Sequence, residues 1–148
     1  MAQGDWVTFE EFALDIGKGV HDFTSDTLKL ALVDDTITPA ADDGTPVWGD
    51  YSANEVSGTG YTAGGEALSG VTYTEAAGVA TLDDTGNVSW SQNGAGFTDA
   101  YWAILYNDDA ASDQAIGFID LGGPVSLVDG DVTVTWNASG IITITVSA

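Results

Sequence analysis

Residues 100–122 read AYWAILYNDDAASDQAIGFIDLG. Ala100 to Tyr106 is apolar at odd and even positions alike. A strand with one wet face alternates, whereas a strand covered on both sides does not. This run is therefore expected to be a central strand. Asn107-Asp108-Asp109 ends it, and Ala115 to Leu121 supplies the next strand. Ile116 and Phe118 are expected on one of its faces and Ile119 and Leu121 on the other, with Gly122-Gly123-Pro124 breaking it.

The same pattern extends in both directions. Downstream, Val125 to Val128 leads into the turn Asp129-Gly130-Asp131. Val132, Val134 and Trp136 then alternate with Thr133 and Thr135, and Asn137 to Gly140 reads as a hairpin loop returning through Ile141 to Val146. Upstream, Leu28, Leu30 and Leu32 alternate with Lys29, Ala31 and Val33. Shorter strands are expected at Val71–Tyr73, Val79–Leu82 and Asn87–Trp90. Residues 34–65, rich in Gly, Asp and Pro, read as one long loop. Short strands spaced near ten residues with turn chemistry between them indicate an all-β fold. The expectation is a single antiparallel β-sandwich domain over 1–148, jelly-roll-like or Ig-like, with seven or eight strands and no fixed-period repeat.

The N-terminal segment differs. Thr8 and Glu11 fit a capping box, and Phe9, Phe12, Ala13 and Ile16 follow at helical spacing. A short helix within 8–19 is expected, stopped by Gly17 and Gly19. It either closes one end of the domain or docks on a partner.

Composition restricts function. Of 148 residues, 23 are acidic, against Lys18 and Lys29 and no arginine, for a net charge of −21. Nucleic-acid binding needs cations to replace phosphate counterions, so no nucleic-acid partner is expected. Attraction to anionic membranes is unfavourable for the same reason. No stretch reaches the roughly 20 apolar residues of a membrane span, and the N-terminus lacks a basic n-region and an apolar h-region. With no cysteine, thiolate metal sites and disulfides are excluded. The acidity reads first as solubility and mutual repulsion of copies; steering of a basic partner and adaptation to high salt are the alternatives.

Motifs that carry chemistry are scarce. NEVSGTGYTAGGEAL, residues 54–68, is glycine-rich but has no lysine for a phosphate loop and no βαβ context for a dinucleotide. Its glycines suit positive φ or close backbone approach, and Tyr61 suits an anchor whose hydroxyl finds a backbone partner. His21, the single histidine, stands beside Asp22, but no nucleophile elbow accompanies it. The pairs Asp34-Asp35, Asp42-Asp43, Asp83-Asp84 and Asp108-Asp109 read as turn formers. Asp42-Asp43-Gly44 and Asp129-Gly130-Asp131 offer oxygen donors for calcium but fit no EF-hand loop. Of the five tryptophans, Trp90, Trp102 and Trp136 lie in strand patterns and suit core packing, while stacking on sugar rings is the alternative use. No catalytic, cofactor-binding or metal-binding residue is expected.

Taken in order, DTLKLALVDD, NEVSGTGYTAGGEALSGV, AYWAILYNDDAASDQAIGFIDLG and VTVTWNASGIITI resemble a family of small tailed-phage structural proteins. Similar features there are a loop of the form E-x-x-G-x-G-Y-x-x-G-G, a Y-N-D strand end and an IG-x-ID strand. The resemblance covers nearly the whole chain from about Phe9. It departs at Phe97 to Tyr101, where members commonly carry a basic residue and this chain has none. The resemblance implies a virion component without enzymatic activity or cofactor. The reading it favours is a capsid cement or decoration protein on the outer face of the shell, with the major capsid protein as partner and a homotrimer as oligomer. The charge agrees with a location away from packaged DNA. A tail, neck or fibre component and a carbohydrate-binding module on the virion surface are the alternatives.

Overall fold

The computed structural model describes residues 3–147; Met1, Ala2 and Ala148, the ends of the expected 1–148 domain, lie outside the described residues. The fold is all-β and antiparallel, a sandwich, with ten strands among the described residues in place of the seven or eight expected. Its centre is the pair that residues 100–122 suggested. β7 (Ala100–Asn107) lies between β2 (Leu28–Val33) and β8 (Ala115–Val125), and β1 (Trp6–Thr8) and β3 (Glu66–Ala67) flank these in the order β1-β8-β7-β2-β3. A three-stranded sheet has the order β10-β5-β4, from β4 (Val71–Ala76), β5 (Val79–Asp84) and β10 (Ile142–Thr145). β6 (Val88–Trp90) pairs with β9 (Val132–Val134).

The central sheet is covered on both faces. Leu28, Leu30, Leu32, Leu105 and Ile119 pack with Leu82, Val88, Trp90 and Val132 of the smaller sheets and with Ile141 just before β10. On the opposite face Ala31, Val33, Ile104, Tyr106 and Phe118 pack with Phe9, Trp48 and Tyr51. Apart from Phe9, that second cover comes from within 34–65, which is not wholly irregular. It contains α2 (Trp48–Tyr51) followed by a 3₁₀ turn, Ser52–Asn54. Trp48 stacks on Tyr106 at 5.0 Å and 7°. A helix of four residues is too short to show a 3.6-residue period.

Several expectations are corrected. The helix α1 spans Phe12–Lys18, with Gly19 left-handed at its end as expected, but Thr8 does not cap it. Thr8 belongs to β1, opposite Gly117, and its hydroxyl accepts the Trp6 indole N–H at 2.8 Å. Phe9 N–H continues toward Ile116 O, so pairing with the sheet claims the residues that the capping box needed. Ala13 is exposed, and the helix buries Phe12 and Asp15 instead. In β8 the register shifts between Leu105 and Tyr106, so Ile116 joins Ile119 and Leu121 on the first face, away from Phe118. A bulge of this kind re-aims a side chain by inserting an unpaired residue. Gly122-Gly123-Pro124 interrupts the ladder without ending the strand, because Val125 still pairs with Ala100. Finally, β9 and β10 form no hairpin. β9 pairs with β6 and β10 with β5, so Asn137–Gly140 is a crossover between sheets.

Candidate functional site

The glycine-rich loop is the densest polar arrangement on the central sheet. Past Leu30, where β3 ends, the outer edge of β2 lacks a partner strand, and the loop supplies one in pieces. Val56 N–H donates to Leu32 O, and the Tyr61 hydroxyl accepts Leu32 N–H at 2.9 Å. That hydroxyl in turn donates to Glu55 Oε1 at 2.8 Å, and the same oxygen accepts Gly64 N–H at 2.7 Å. From the sheet, the Tyr106 hydroxyl donates to Gly64 O at 2.7 Å. Burial pushes the Tyr61 hydroxyl far above its ordinary pKa; Leu32 N–H opposes this and the Glu55 carboxylate adds to it. Burial, followed by nearby carboxylates, raises Tyr106 as well. Both phenols are therefore neutral donors at any ordinary pH.

The glycines are required by contact. A Cβ on Gly65, at φ +78°, would stand 2.1 Å from Leu30 O, and one on Gly58 would stand 2.3 Å from the Gly96 carbonyl carbon. Glu55, Tyr61, Gly64 and Gly65 are thus committed to closing the β2 edge, while Gly58 packs the loop against Gly96. The anchoring role expected of Tyr61 holds. Glu55, which sequence reasoning passed over, is the hub, and only its fixed spacing from Tyr61 hinted at that.

His21 does not pair with Asp22. The Asp22 carboxylate accepts the Thr24 hydroxyl and N–H, which hold its pKa low in a turn. His21 is buried between Phe12 and Phe23, at ring distances of 5.7 and 5.6 Å. Asn107 Nδ2 lies 3.1 Å from His21 Nδ1 and also donates to Asp26 at 2.6 Å, while Asn107 Oδ1 accepts Asp109 N–H. Those contacts orient the amide, so His21 Nδ1 is the acceptor and Nε2 carries the proton. Nε2 faces Asp15 at 4.0 Å, beyond hydrogen-bond range, and has no other partner. Burial lowers the His21 pKa, and Asp15 and Asp26 only partly offset this. Among the described residues no hydroxyl is hydrogen-bonded to the ring, which sits in a packed corner between Phe12 and Phe23. Asp15, Asp26 and Asn107, far apart in sequence, could not be grouped from the chain alone.

Each acidic pair has at least one member engaged within the fold, in a local turn or tying distant segments together. Asp34 accepts Thr36 N–H, Asp43 accepts Ala40 N–H and the Tyr51 hydroxyl, and Asp84 accepts Gly70 N–H. Asp109 accepts Thr27 N–H, which holds its pKa low, and Asp108 meets Lys29 at 2.8 Å. Asp131 accepts Gln92 N–H. Among the described residues no three His, Cys, Asp or Glu side chains gather as metal ligands.

The tryptophans divide. Trp48 and Trp90 are buried. Trp102 is half-buried against Phe118. Trp6 and Trp136 meet edge to face at 6.1 Å and line an open groove of about 660 Å³. Asn137, Ser139 and Thr143 line it too, and Asp5 contributes a charge. Both indole N–H groups are bonded within the protein, to Thr8 and Asp84, so the groove receives their carbon surfaces.

Comparison with family models, with curated proteins and with solved structures found no match for this chain.

Proposed function

We propose that this chain is a phage virion structural protein. In this reading it is a cement or decoration protein that binds the major capsid protein on the outer surface of the head in many copies. The observation that carries the reading is the Glu55–Gly65 loop. Glu55, Tyr61, Gly64 and Gly65, among the residues through which the chain resembles the phage family, close the β2 edge. A resemblance resting on such residues is a resemblance in what determines the fold. The acidity supports an outer location, since a chain at −21 would be repelled by packaged DNA. A structural role is supported further by His21 and the aspartate pairs, which spend their polar groups on corners and turns.

Immunogold electron microscopy of purified virions tests the location. Dense label over heads is expected, together with faster heat disruption of heads lacking the protein. Label confined to the tail would replace this reading with a tube, neck or fibre component.

A second reading has its own observation. The Trp6–Trp136 groove combines aromatic carbon surface with neutral hydrogen-bonding groups, the chemistry that suits an uncharged sugar. Titration of intrinsic tryptophan fluorescence with host-cell polysaccharide tests it. A saturable change lost in Trp136→Ala supports a sugar-binding surface, and a flat titration removes it.

A further inference from the structure

β4 is an edge strand with few of the devices that normally keep edges from pairing, its one inner-face charge being Glu75 near the hairpin end. Natural sheets protect edges with lysines, prolines, bulges, inward charges or very short strands. β4 has six residues, no proline, no lysine and an unbroken register against β5 from Val71↔Asp84 to Ala76↔Val79. Thr72 to Ala76 are all exposed, and Tyr73 is 37% exposed. Its single charge, Glu75, is turned back to accept Gly78 N–H at 2.7 Å. Two other edges are closed, β2 by Val56 and Tyr61 and the strand end at Thr135 by Gln3, whose amide bonds both Thr135 N–H and C=O, while β10, the opposite edge of the same sheet, is shorter at four residues.

The hairpin geometry says which groups are free. Ala77 and Gly78 have φ of 53° and 81°, the two positive values of a type I′ turn. The flanking pair Ala76↔Val79 is then hydrogen-bonded, as are Thr74↔Thr81 and Thr72↔Asp83. The N–H and C=O groups of Val71, Tyr73 and Glu75 therefore point off the edge.

Charge selects the occupant. Two copies at −21 repel wherever carboxylates meet, but this sheet is nearly uncharged. Glu75 is the only charged residue from 67 to 82, and none occurs from 132 to 147. Alternation places Thr72, Thr74, Thr81, Thr143 and Thr145 on the sheet's outer face, with Asp83 as the charged member at one end.

We propose that β4 pairs with β4 of a second copy, antiparallel about a two-fold axis that sets Tyr73 opposite Tyr73. This register matches the free donors and acceptors of Val71, Tyr73 and Glu75 and joins the two three-stranded sheets into one of six. Each Glu75 faces the partner's Val71, so the two carboxylates lie roughly 13 Å apart along the strands at about 3.3 Å per residue. That exceeds the screening length of about 8 Å at physiological salt. A two-fold contact needs only this one self-complementary surface, whereas the homotrimer that the resemblance implies needs a second, matching one. The contact does not depend on the virion assignment.

Sedimentation equilibrium of the full chain over a concentration series at low and high salt tests the pairing. The weight-average mass should rise from 15.2 kDa toward twice that value, and further at high salt. Glu75→Pro removes an outward N–H without touching a β4–β5 ladder bond, and should give a folded monomer. Glu75→Gln keeps an acceptor for Gly78 and should tighten the dimer. Amide exchange in the unaltered protein provides a check that needs no variant: Tyr73 and Glu75 should become protected only as concentration rises. A monomer under all conditions, an assembly of three, a dimer that persists in folded Glu75→Pro, or Tyr73 and Glu75 exchange independent of concentration would each overturn the pairing.

Discussion

His21 has no solvent to share its charge and no acceptor to welcome it at Nδ1, because Asn107 already presents a donor there. Its folded pKa lies below 6.5, chiefly through burial, despite Asp15 and Asp26. Below 6.5 the unfolded chain takes up a proton that the folded ring resists. Stability from this group is therefore complete above pH 6.5 and is lost as pH falls from there through the folded pKa. Urea midpoints of the wild type and of His21→Phe, which keeps the stack with Phe12 and Phe23, isolate the contribution. The wild-type midpoint should fall relative to the variant on acidification below 6.5, and parallel curves would refute the assignment. Tyr61 makes a second residue-scale case. Tyr61→Phe strips Leu32 N–H of its acceptor and Glu55 of a donor, a loss of about 1–3 kcal/mol for a buried group left unpaired. Tyr106→Phe removes only one donor, to Gly64 O, and should cost about 1 kcal/mol. Denaturant unfolding that ranked the two in the opposite order would contradict the hub at Glu55.

Elements differ in how their glycines are used, and substitution separates the uses. Gly17 sits inside α1 at negative φ with open space where a Cβ would go, so Gly17→Ala should stabilise by roughly 0.5–1 kcal/mol. Gly65 combines positive φ with backbone contact at Leu30, so Gly65→Ala must displace the β2–β3 junction and should lower the melting temperature sharply. Thermal melts of the two variants should move in opposite directions. The same contrast explains what was legible in the chain. β2, β7 and parts of β4 and β5 were readable as strands because their alternation or their double-sided apolarity is local. The loop's role was half readable, since glycines and a tyrosine announce tight packing without naming the edge they close. β1 and β3 have three and two residues, too few for any period. The tail misled because Asn137–Gly140 has the chemistry of a turn whether the chain returns beside β9 or crosses to β5. Ile116 changed face because a bulge depends on pairing, which a single strand does not encode.

For the whole molecule the dominant quantity is charge at fixed shape. Both lysines are already engaged, Lys29 with Asp108 at 2.8 Å and Lys18 near Glu11 at 3.8 Å, so neither is left to offset the remaining carboxylates. Exposed pairs of this kind contribute at most about 1 kcal/mol each. Folding instead crowds 23 acidic side chains, all but Asp15 and Asp84 outside the buried interior, around one small domain, while the unfolded chain spreads them apart. Added salt should therefore stabilise the fold, as the screening length shrinks from about 30 Å at 0.01 M to about 8 Å at 0.15 M. Relief of even 1–2 kcal/mol corresponds to a rise of roughly 3–8 °C in Tm for a chain of this size. The measurement is a melt of Glu75→Pro, proposed to be monomeric, across that range, so that salt-driven pairing through β4 does not contribute. A Tm that rises with sodium chloride and reaches the same value with potassium chloride supports nonspecific screening. A Tm that is flat or falling would mean that the N–H dipoles bonded to the charged carboxylates already offset their mutual repulsion, and that self-repulsion does not limit this protein's stability.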